Sequence, residues 1–391
     1  MGNWKQVKIG DICKTNAQAY SVSENWPFVN YLDTGNITEN RIEGFQRIEL
    51  VNSSLPSRAR RKVAVNDIIY STVRPNQRHY GIIKKMLPNM LVSTGFTVIT
   101  VDTKFADADF LYYFLTQNDI VNSLHAIGEQ SVSAYPSIKS KDIENLEIML
   151  PPLKIQKEIG RTLQALDDKI ANNTRINHHL EQMAQAIFKS WFDCYDPSQP
   201  FTNAVQVLGG GTPKTGNESY WNGEIPFFTP KDTGSLYVLS TEKRLSEAGL
   251  SNCNSRLYPV NTVFVTARGT VGKLALAGCP MAMNQSCYAL VSNGDYGQFY
   301  VYHLALTVVE KLKRKANGAV FDAIVTRDFE NELVPAPATK EIKAFEDKIQ
   351  PIFETILNNC KENVRLAELR DTLLPRLMSG ELSVADLGDG K

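Results

Sequence analysis

Two stretches of the chain carry apolar residues at helical spacing for far longer than a globular helix usually runs. The first places Ile155, Ile159, Leu163, Leu166, Ile170, Leu180, Met183, Ile187 and Trp191 three or four apart, with one polar interval. The second does so with Phe345, Ile349, Ile352, Ile356, Leu366, Leu369, Leu373 and Leu377. The spacing predicts one amphipathic helix over 151–193 and another over 338–380, interrupted only by Gly160 and Pro351 near their starts and Pro375 near the second one's end. At about 1.5 Å per residue each reaches roughly 60 Å. A narrow apolar seam of that length wants a partner helix, and each is the obvious partner of the other. Asn173 and Asn359 fall on the polar intervals. They are either buried amides that fix register at some cost in stability, or side chains facing water, and both readings stay open.

The two helices belong to a larger repeat. Asp142-Ile143-Glu144-Asn145 returns 186 positions on as Asp328-Phe329-Glu330-Asn331, and without a gap Pro151 then meets Pro337, Lys154 Lys340, Ile170 Ile356, Asn172-Asn173 Asn358-Asn359, and Leu180 Leu366. The preceding segments correspond more loosely. Asp33-Thr34-Gly35 parallels Asp232-Thr233-Gly234, and the β-branched run from Val65 to Arg74 parallels that from Val260 to Arg268, each a strand pattern ending in arginine. Phe110 to Leu115 matches Phe299 to Leu304 as a short helix, with Gly128 and Gly318 expected to open the loops that follow. Asp193 to Pro200 reads as a linker from its turn residues and prolines. The layout is globule 1–150, helix 151–193, linker and globule 194–337, helix 338–380, tail 381–391. This is an α+β chain of two mixed α/β domains with a pseudo-twofold internal repeat.

With 391 residues and 43% hydrophobic content, roughly two to three ordinary domains can be built. Lys and Arg number 42 and Asp and Glu 42, so no global positive field draws the chain to nucleic acid or to an anionic membrane. Local patches must supply any such contact. Between 58 and 85, Arg58, Arg60, Arg61, Lys62, Arg74, Arg78, Lys84 and Lys85 face a single acid, Asp67. In the second globule Arg256, Arg268 and Lys273 lie in an acid-free stretch, and Lys311, Lys313, Arg314 and Lys315 cluster again. Such patches are either solvated faces or phosphate contacts that release counterions. Phosphate contact is favoured for 58–85, because the patch flanks a strand-end loop carrying Asn76, Gln77, His79 and Tyr80, with Thr72 in the strand before it. Arg, Asn and Gln match guanine and adenine edges in the major groove. The DNA-contact candidates are these residues with Arg58, Arg60, Arg61, Lys62, Arg74 and Arg78, and in the second globule Lys214, Lys231, Arg268, Thr270 and Lys273.

Catalytic signatures are absent. Gly209 to Gly216 contains three consecutive glycines but no Gly-Lys-Ser/Thr, so it reads as a flexible loop rather than a phosphate cradle. There is no Gly-x-Gly-x-x-Gly, no Asn-Pro-Pro-aromatic run to hold a flipped adenine, and no Pro-Asp pair of a metal-dependent nuclease. Adjacent His178 and His179 on a helix point about 100° apart, a poor metal pair. The six cysteines form no Cys-x-x-Cys pair, so neither a zinc clip nor a disulfide framework is expected. No apolar run reaches the roughly 18 residues of a membrane span, and the first residues lack a signal-peptide core and a myristoylation pattern. A soluble cytoplasmic protein, not itself an enzyme, is the expectation.

With Leu150-Pro151-Pro152-Leu153-Lys154-Ile155-Gln156-Lys157-Glu158-Ile159 opening the first helix and two globule–helix units in tandem, the chain resembles the specificity subunit of type I restriction-modification systems. The likeness runs from Trp4-Lys5-Gln6-Val7 to the helix ending near Leu382; Pro335-Ala336-Pro337-Ala338, at the second helix entry, departs from the double proline. The resemblance implies that 1–150 and 194–337 are target recognition domains, each reading one half of a bipartite sequence in double-stranded DNA. It implies that the helices form an antiparallel coiled-coil spacer that docks two methyltransferase subunits. Translocase-nuclease subunits would complete the assembly, and S-adenosylmethionine, ATP and magnesium would belong to those partners, with no cofactor in this chain. Two other readings are carried beside it. One is a coiled-coil protein–protein scaffold without specific DNA binding, separable by competition between specific and scrambled duplexes. The other is a self-contained DNA-modifying enzyme, against which the absent motifs speak.

Overall fold

The computed structural model describes residues 4–51, 53–131, 135–294, 296–315 and 323–388; Gly318 lies outside them. The first globule contains β1 (Lys5–Lys8), α1 (Ile9–Ile12), β2 (Cys13–Thr15), β3 (Phe28–Leu32), β4 (Ile37–Thr38), β5 (Arg41–Ile42), β6 (Gln46–Glu49) and β7 (Ala59–Lys62). Then come β8 (Ile68–Ser71), β9 (Tyr80–Ile82), β10 (Met90–Ser93), β11 (Phe96–Val101), α2 (Ala108–Thr116), α3 (Asn118–Glu129), α4 (Ser140–Glu144) and β12 (Glu147–Leu150). The long helix α5 spans Leu153–Phe192.

The second globule begins with β13 (Gln199–Pro200), α6 (Phe201–Ala204), β14 (Val205–Gly209), β15 (Trp221–Phe228), β16 (Tyr237–Val238), β17 (Lys243–Leu245) and α7 (Glu247–Ser251). It continues through β18 (Val263–Thr266), β19 (Leu274–Ala277), β20 (Ala282–Met283), β21 (Cys287–Ser292), α8 (Gln298–Lys315), α9 (Thr326–Glu330) and β22 (Leu333–Val334). The second long helix α10 spans Thr339–Met378, and α11 spans Val384–Gly388. Two compact units result, one of Met1–Lys169 with Leu366–Lys391, the other of Ile170–Arg365. Each long helix therefore contributes one segment to each unit.

The repeat is visible strand by strand. The first unit has the sheet β2-β11-β8-β9 and the second β14-β21-β18-β19-β16, so four strands recur in the same order. Each has a smaller sheet with one parallel pair, β3 with β10 and β15 with β20. Each is closed by an antiparallel pair ahead of its long helix, β1 with β12 and β13 with β22. The strand cores are β-branched and aromatic and wholly buried, Ile68 and Ile69 in β8 answering Val263 and Phe264 in β18. The helices that follow differ. In the first unit Gln117 takes an extended ψ and separates α2 from α3, whereas α8 is a single helix. Gly128 does not open a loop. It lies inside α3, whose last turn continues to a Gln130 N–H···O Ile127 hydrogen bond of 3.2 Å.

Within the first unit the long helices run antiparallel: Leu163 shares a core with Leu373, Leu374 and Leu377, and Arg370 Nη1 donates to Asp167 Oδ1 at 2.6 Å. Asp167 Oδ2 also accepts from Tyr113 Oη at 2.6 Å, tying the pair to α2. Within the second unit they are antiparallel as well. Asn173 Nδ2 donates to Glu362 Oε2 at 2.6 Å and to Asn363 Oδ1 at 2.9 Å, and Asn359 Nδ2 donates to Asn177 Oδ1 at 2.8 Å. Asn173 and Asn177 are buried and Asn359 is half-buried, so the three amides lie in the helix pair and not in water. After this layer the seam of α5 turns. Ala184, Phe188 and Phe192 are the buried positions, Met183 is exposed, and Ile187 and Trp191 pack at the margin. In α10 Leu369 is likewise exposed. A period of 3.6 residues drifts against a strict three-and-four count, which rotates those predicted positions off the seam.

His303 of α8 is buried in the second core, stacked on Phe188 with centroids 5.0 Å apart, and neither ring nitrogen has a hydrogen-bond partner. Burial pushes its pKa down from 6.5 to about 3. An unfolded chain therefore takes up this proton below pH 6.5 while the folded one resists until about pH 3, so the histidine subtracts stability as pH falls through that window. His303→Leu removes two unpaired polar atoms and should raise stability by about 1–3 kcal/mol at pH 7.5. Its advantage over the unaltered protein should widen as pH drops from 6.5 toward 4. Denaturant unfolding at several pH values checks this, and a constant difference would contradict it.

Candidate nucleic-acid interface

In the first unit β8 runs into a turn whose backbone is unusual. Arg74 and Arg78 both have left-handed φ, +48° and +56°, on either side of a 3-10 turn over Pro75–Gln77. Large side chains adopt this region only under constraint, and such strain concentrates at functional sites. Arg74 is held by its N–H to Pro136 O at 2.8 Å and by its guanidinium lying 4.6 Å over the Tyr135 ring. Asn76 and Gln77 point outward from the turn and are exposed. Thr72 donates both N–H and Oγ1 to Gly95 O, at 2.8 and 2.9 Å. Exposed Arg58 crosses the same glycine: a Cβ there would meet Arg58 Nη2 at 2.8 Å and Thr34 Cγ2 at 2.9 Å. Arg58, Thr72 and the turn from Arg74 to Gln77 thus form one rim.

The other candidates of the first unit sit differently. Arg60 lies half-buried in β7. Arg61 turns inward to donate to Asn16 Oδ1 and Phe96 O, and Lys62 pairs with Glu24 and lies 5.3 Å over the Trp26 ring. Arg78 reaches Asn118 Oδ1 at 2.6 Å and Glu39 Oε1 at 3.4 Å. His79 Nδ1 is 2.6 Å from Ile37 O. Tyr80 is a core residue of β9 stacked on Tyr70. Lys84 is drawn to Asp109 at 2.5 Å and Asn66 at 3.0 Å. The continuous basic stretch of sequence is therefore not one basic surface, because alternate strand residues point to opposite faces.

In the second unit β18 ends in the corresponding turn. Exposed Arg268, Gly269 and Thr270 occupy it, exposed Lys273 immediately precedes the returning strand β19, and Lys313 of α8 braces it through Nζ to Gly272 O at 2.6 Å. The backbone shows how the units match. Thr72 N bonds Gly95 O and its carbonyl accepts from Ile138; Ala267 N bonds Ser286 O and its carbonyl accepts from Ile324. Val73 bridges Ser137 as Arg268 bridges Ala323. Arg74 therefore matches Gly269, itself left-handed at φ +77°, and Arg268 matches Val73. The two arginines that close the strand patterns are one residue out of step. Likewise Asp33, which caps its turn by accepting from Thr34 N, matches Thr229 rather than Asp232, which closes that turn from its far end by accepting from Thr229 N–H at 2.8 Å.

Lys231 follows this Thr229–Pro230 corner, is exposed, and lies 3.6 Å from Glu242. Lys214 is exposed on the loop after the glycine run. Gly210 and Gly211 are needed for close approach, since a Cβ would come within 2.1 Å of Asn284 O and 2.6 Å of Asn254 N. That accounts for two of the three glycines without a phosphate, while a Cβ on Gly209 would meet nothing within 4 Å. Gln285 and Asn254, brought beside these glycines, were not signalled by any strand-end pattern. All six cysteines are free, and among the described residues no three His, Cys, Asp or Glu side chains converge as a metal site would. None of the described helices is long and apolar enough to cross a membrane.

Two topologically matched mixed α/β units, each ending a strand in a turn with an exposed or strained arginine, define a duplicated α/β protein. The chain belongs to the family described as the type I restriction modification DNA specificity domain, whose model matches residues 1–182 and again 204–368. It is 26% identical to the type I restriction enzyme HindI specificity subunit of Haemophilus influenzae, over 98% of this chain and 100% of that protein. It is 25% identical to the MjaIX specificity subunit of Methanocaldococcus jannaschii, over 72% of this chain and 70% of that one. The type I restriction-modification S subunit of M. genitalium shares the fold at a TM-score of 0.59 with 16% identity, covering 96% of both chains.

Proposed function

We propose that this chain is the non-catalytic, DNA-reading subunit of a type I restriction-modification complex. Each recognition domain reads one half of a bipartite target, and the paired helices set the distance between the halves and dock methyltransferase subunits. Nuclease-translocase subunits complete the complex, and S-adenosylmethionine, ATP and magnesium are bound by those partners. The observation that carries the reading is the repeated strand-end turn, Arg74 in one unit and Arg268 in the other, on the same sheet topology. A formal charge of zero fits a subunit that binds DNA inside an assembly and not by a global field.

The test is half-site autonomy. Arg74→Ala should weaken or relax one half of the target by about ten- to hundredfold and leave the other half unchanged. Methylation by the assembled complex, scored on duplexes altered in one half at a time, provides the measurement. Equal damage to both halves would refute separate reading. Loss of preference between specific and scrambled duplexes in the unaltered complex would favour the scaffold.

A further inference from the structure

We infer that a polar notch in the second unit, lined by Gly210, Gly211, Thr212, Asn254 and Gln285, reads an adenine edge in the major groove. The inference rests on the DNA-reading function proposed above and assigns bases to residues that no motif marked. The notch is open to solvent, measures about 390 Å³, and is lined by backbone, amides, the Thr212 hydroxyl and Cys253. Its floor is the close approach of Gly210 to Asn284, so no side chain fills it. Gln285 is exposed, and Thr212 Oγ1 donates to its Oε1, which tethers the amide oxygen at the notch. Among the described residues its Nε2 donates to no protein group, and neither does the exposed amide of Asn254. By contrast Asn252, also at the rim, spends its amide on Ala248 O at 2.8 Å.

An amide tethered through its oxygen, with a donor and a remaining acceptor lone pair, has the complement of adenine, which offers N6–H as donor and N7 as acceptor. Ser286, next to Gln285, accepts the backbone N–H groups of Ala267 and Arg268, so the notch adjoins the turn that bears Arg268. Lys214 and Arg256, each two residues beyond a notch residue and both exposed, supply cations for the flanking phosphates.

The experiment uses the full chain assembled with its methyltransferase subunits and a set of duplexes in which each base pair of the target is varied singly. Gln285→Ala should lose about ten- to hundredfold discrimination at one A·T pair in one half-site. Gln285→Glu, an acceptor only, should shift preference there toward cytosine, whose N4 donates. Asn254→Ala provides an independent arm at the same or the adjacent pair. The salt dependence of binding should stay as it was, because no phosphate contact is removed. An unchanged base profile in all three variants would overturn the notch while leaving the domain's DNA reading intact. So would uniform weakening with a shallower salt slope, which marks a phosphate contact. An unaltered complex that prefers no sequence would instead overturn the DNA-reading function, and the notch with it.

Discussion

Phe345→Ala should destabilise the second unit by about 3–5 kcal/mol, the upper range for a single side-chain truncation. Phe345 is fully buried on α10 and meets Phe192 at 5.2 Å, Phe188 at 5.7 Å, Trp191 at 6.1 Å and Tyr300 at 6.3 Å between ring centroids. Its ring joins the end of α5 to the start of α10 and both to α8. Truncation leaves a cavity among aromatic rings that cannot collapse, so transfer and cavity costs add. Hydrogen exchange locates the effect: amides of β18 and β21 should lose protection, while those of β8 and β11 keep theirs. Equal loss in both sheets would mean that the units do not hold their own cores. An unchanged unfolding midpoint would mean that the aromatic cluster contributes little.

The same residues show what could be read from the chain in advance. A long helix states its period many times over, so α5 and α10 were legible from the recurrence of Ile, Leu and Phe. The 186-residue echo was legible because the segments from α4 into α5 and from α9 into α10 carry no insertion. The seam's later course was not, since the drift that buries Phe188 and exposes Met183 accumulates over turns. The strand-end turns proposed to meet DNA were legible only as places. Which strand residue faces outward depends on register, and the patterns ending in Arg74 and Arg268 hide a one-residue step that appears only in the bonds of Thr72 and Ala267. Arg61 and Tyr80 carry suitable chemistry but are committed to Asn16, Phe96 and Tyr70. Gln285 and Asn254 come together through a contact with two glycines some forty to seventy-five residues away in sequence, which no local pattern encodes.

Lengthening both long helices should lengthen the unread gap of the target. Four residues inserted between Lys169 and Ile170, and four between Arg365 and Leu366, add about 6 Å and rotate the helix by roughly 40° beyond a full turn. DNA advances about 3.4 Å and roughly 35° per base pair, so the preferred gap should grow by one or two base pairs. These positions fall between two bonded layers, Asp167 with Arg370 on one side and Asn173 with Glu362 and Asn363 on the other. Each layer keeps its partners when both helices are extended together. Extending only one helix shifts one layer against the other, so buried Asn173 or half-buried Asp167 would be left without its partner, at about 1–3 kcal/mol for each. The single insertions should therefore lose methylation at every gap, whereas the double insertion keeps activity at a new one. Methylation on duplexes with gaps varied one base pair at a time distinguishes these outcomes. A double insertion that still prefers the original gap would show that the helices do not set the spacing. If the single and double insertions behaved alike, the paired layers would not be what holds the two helices in register.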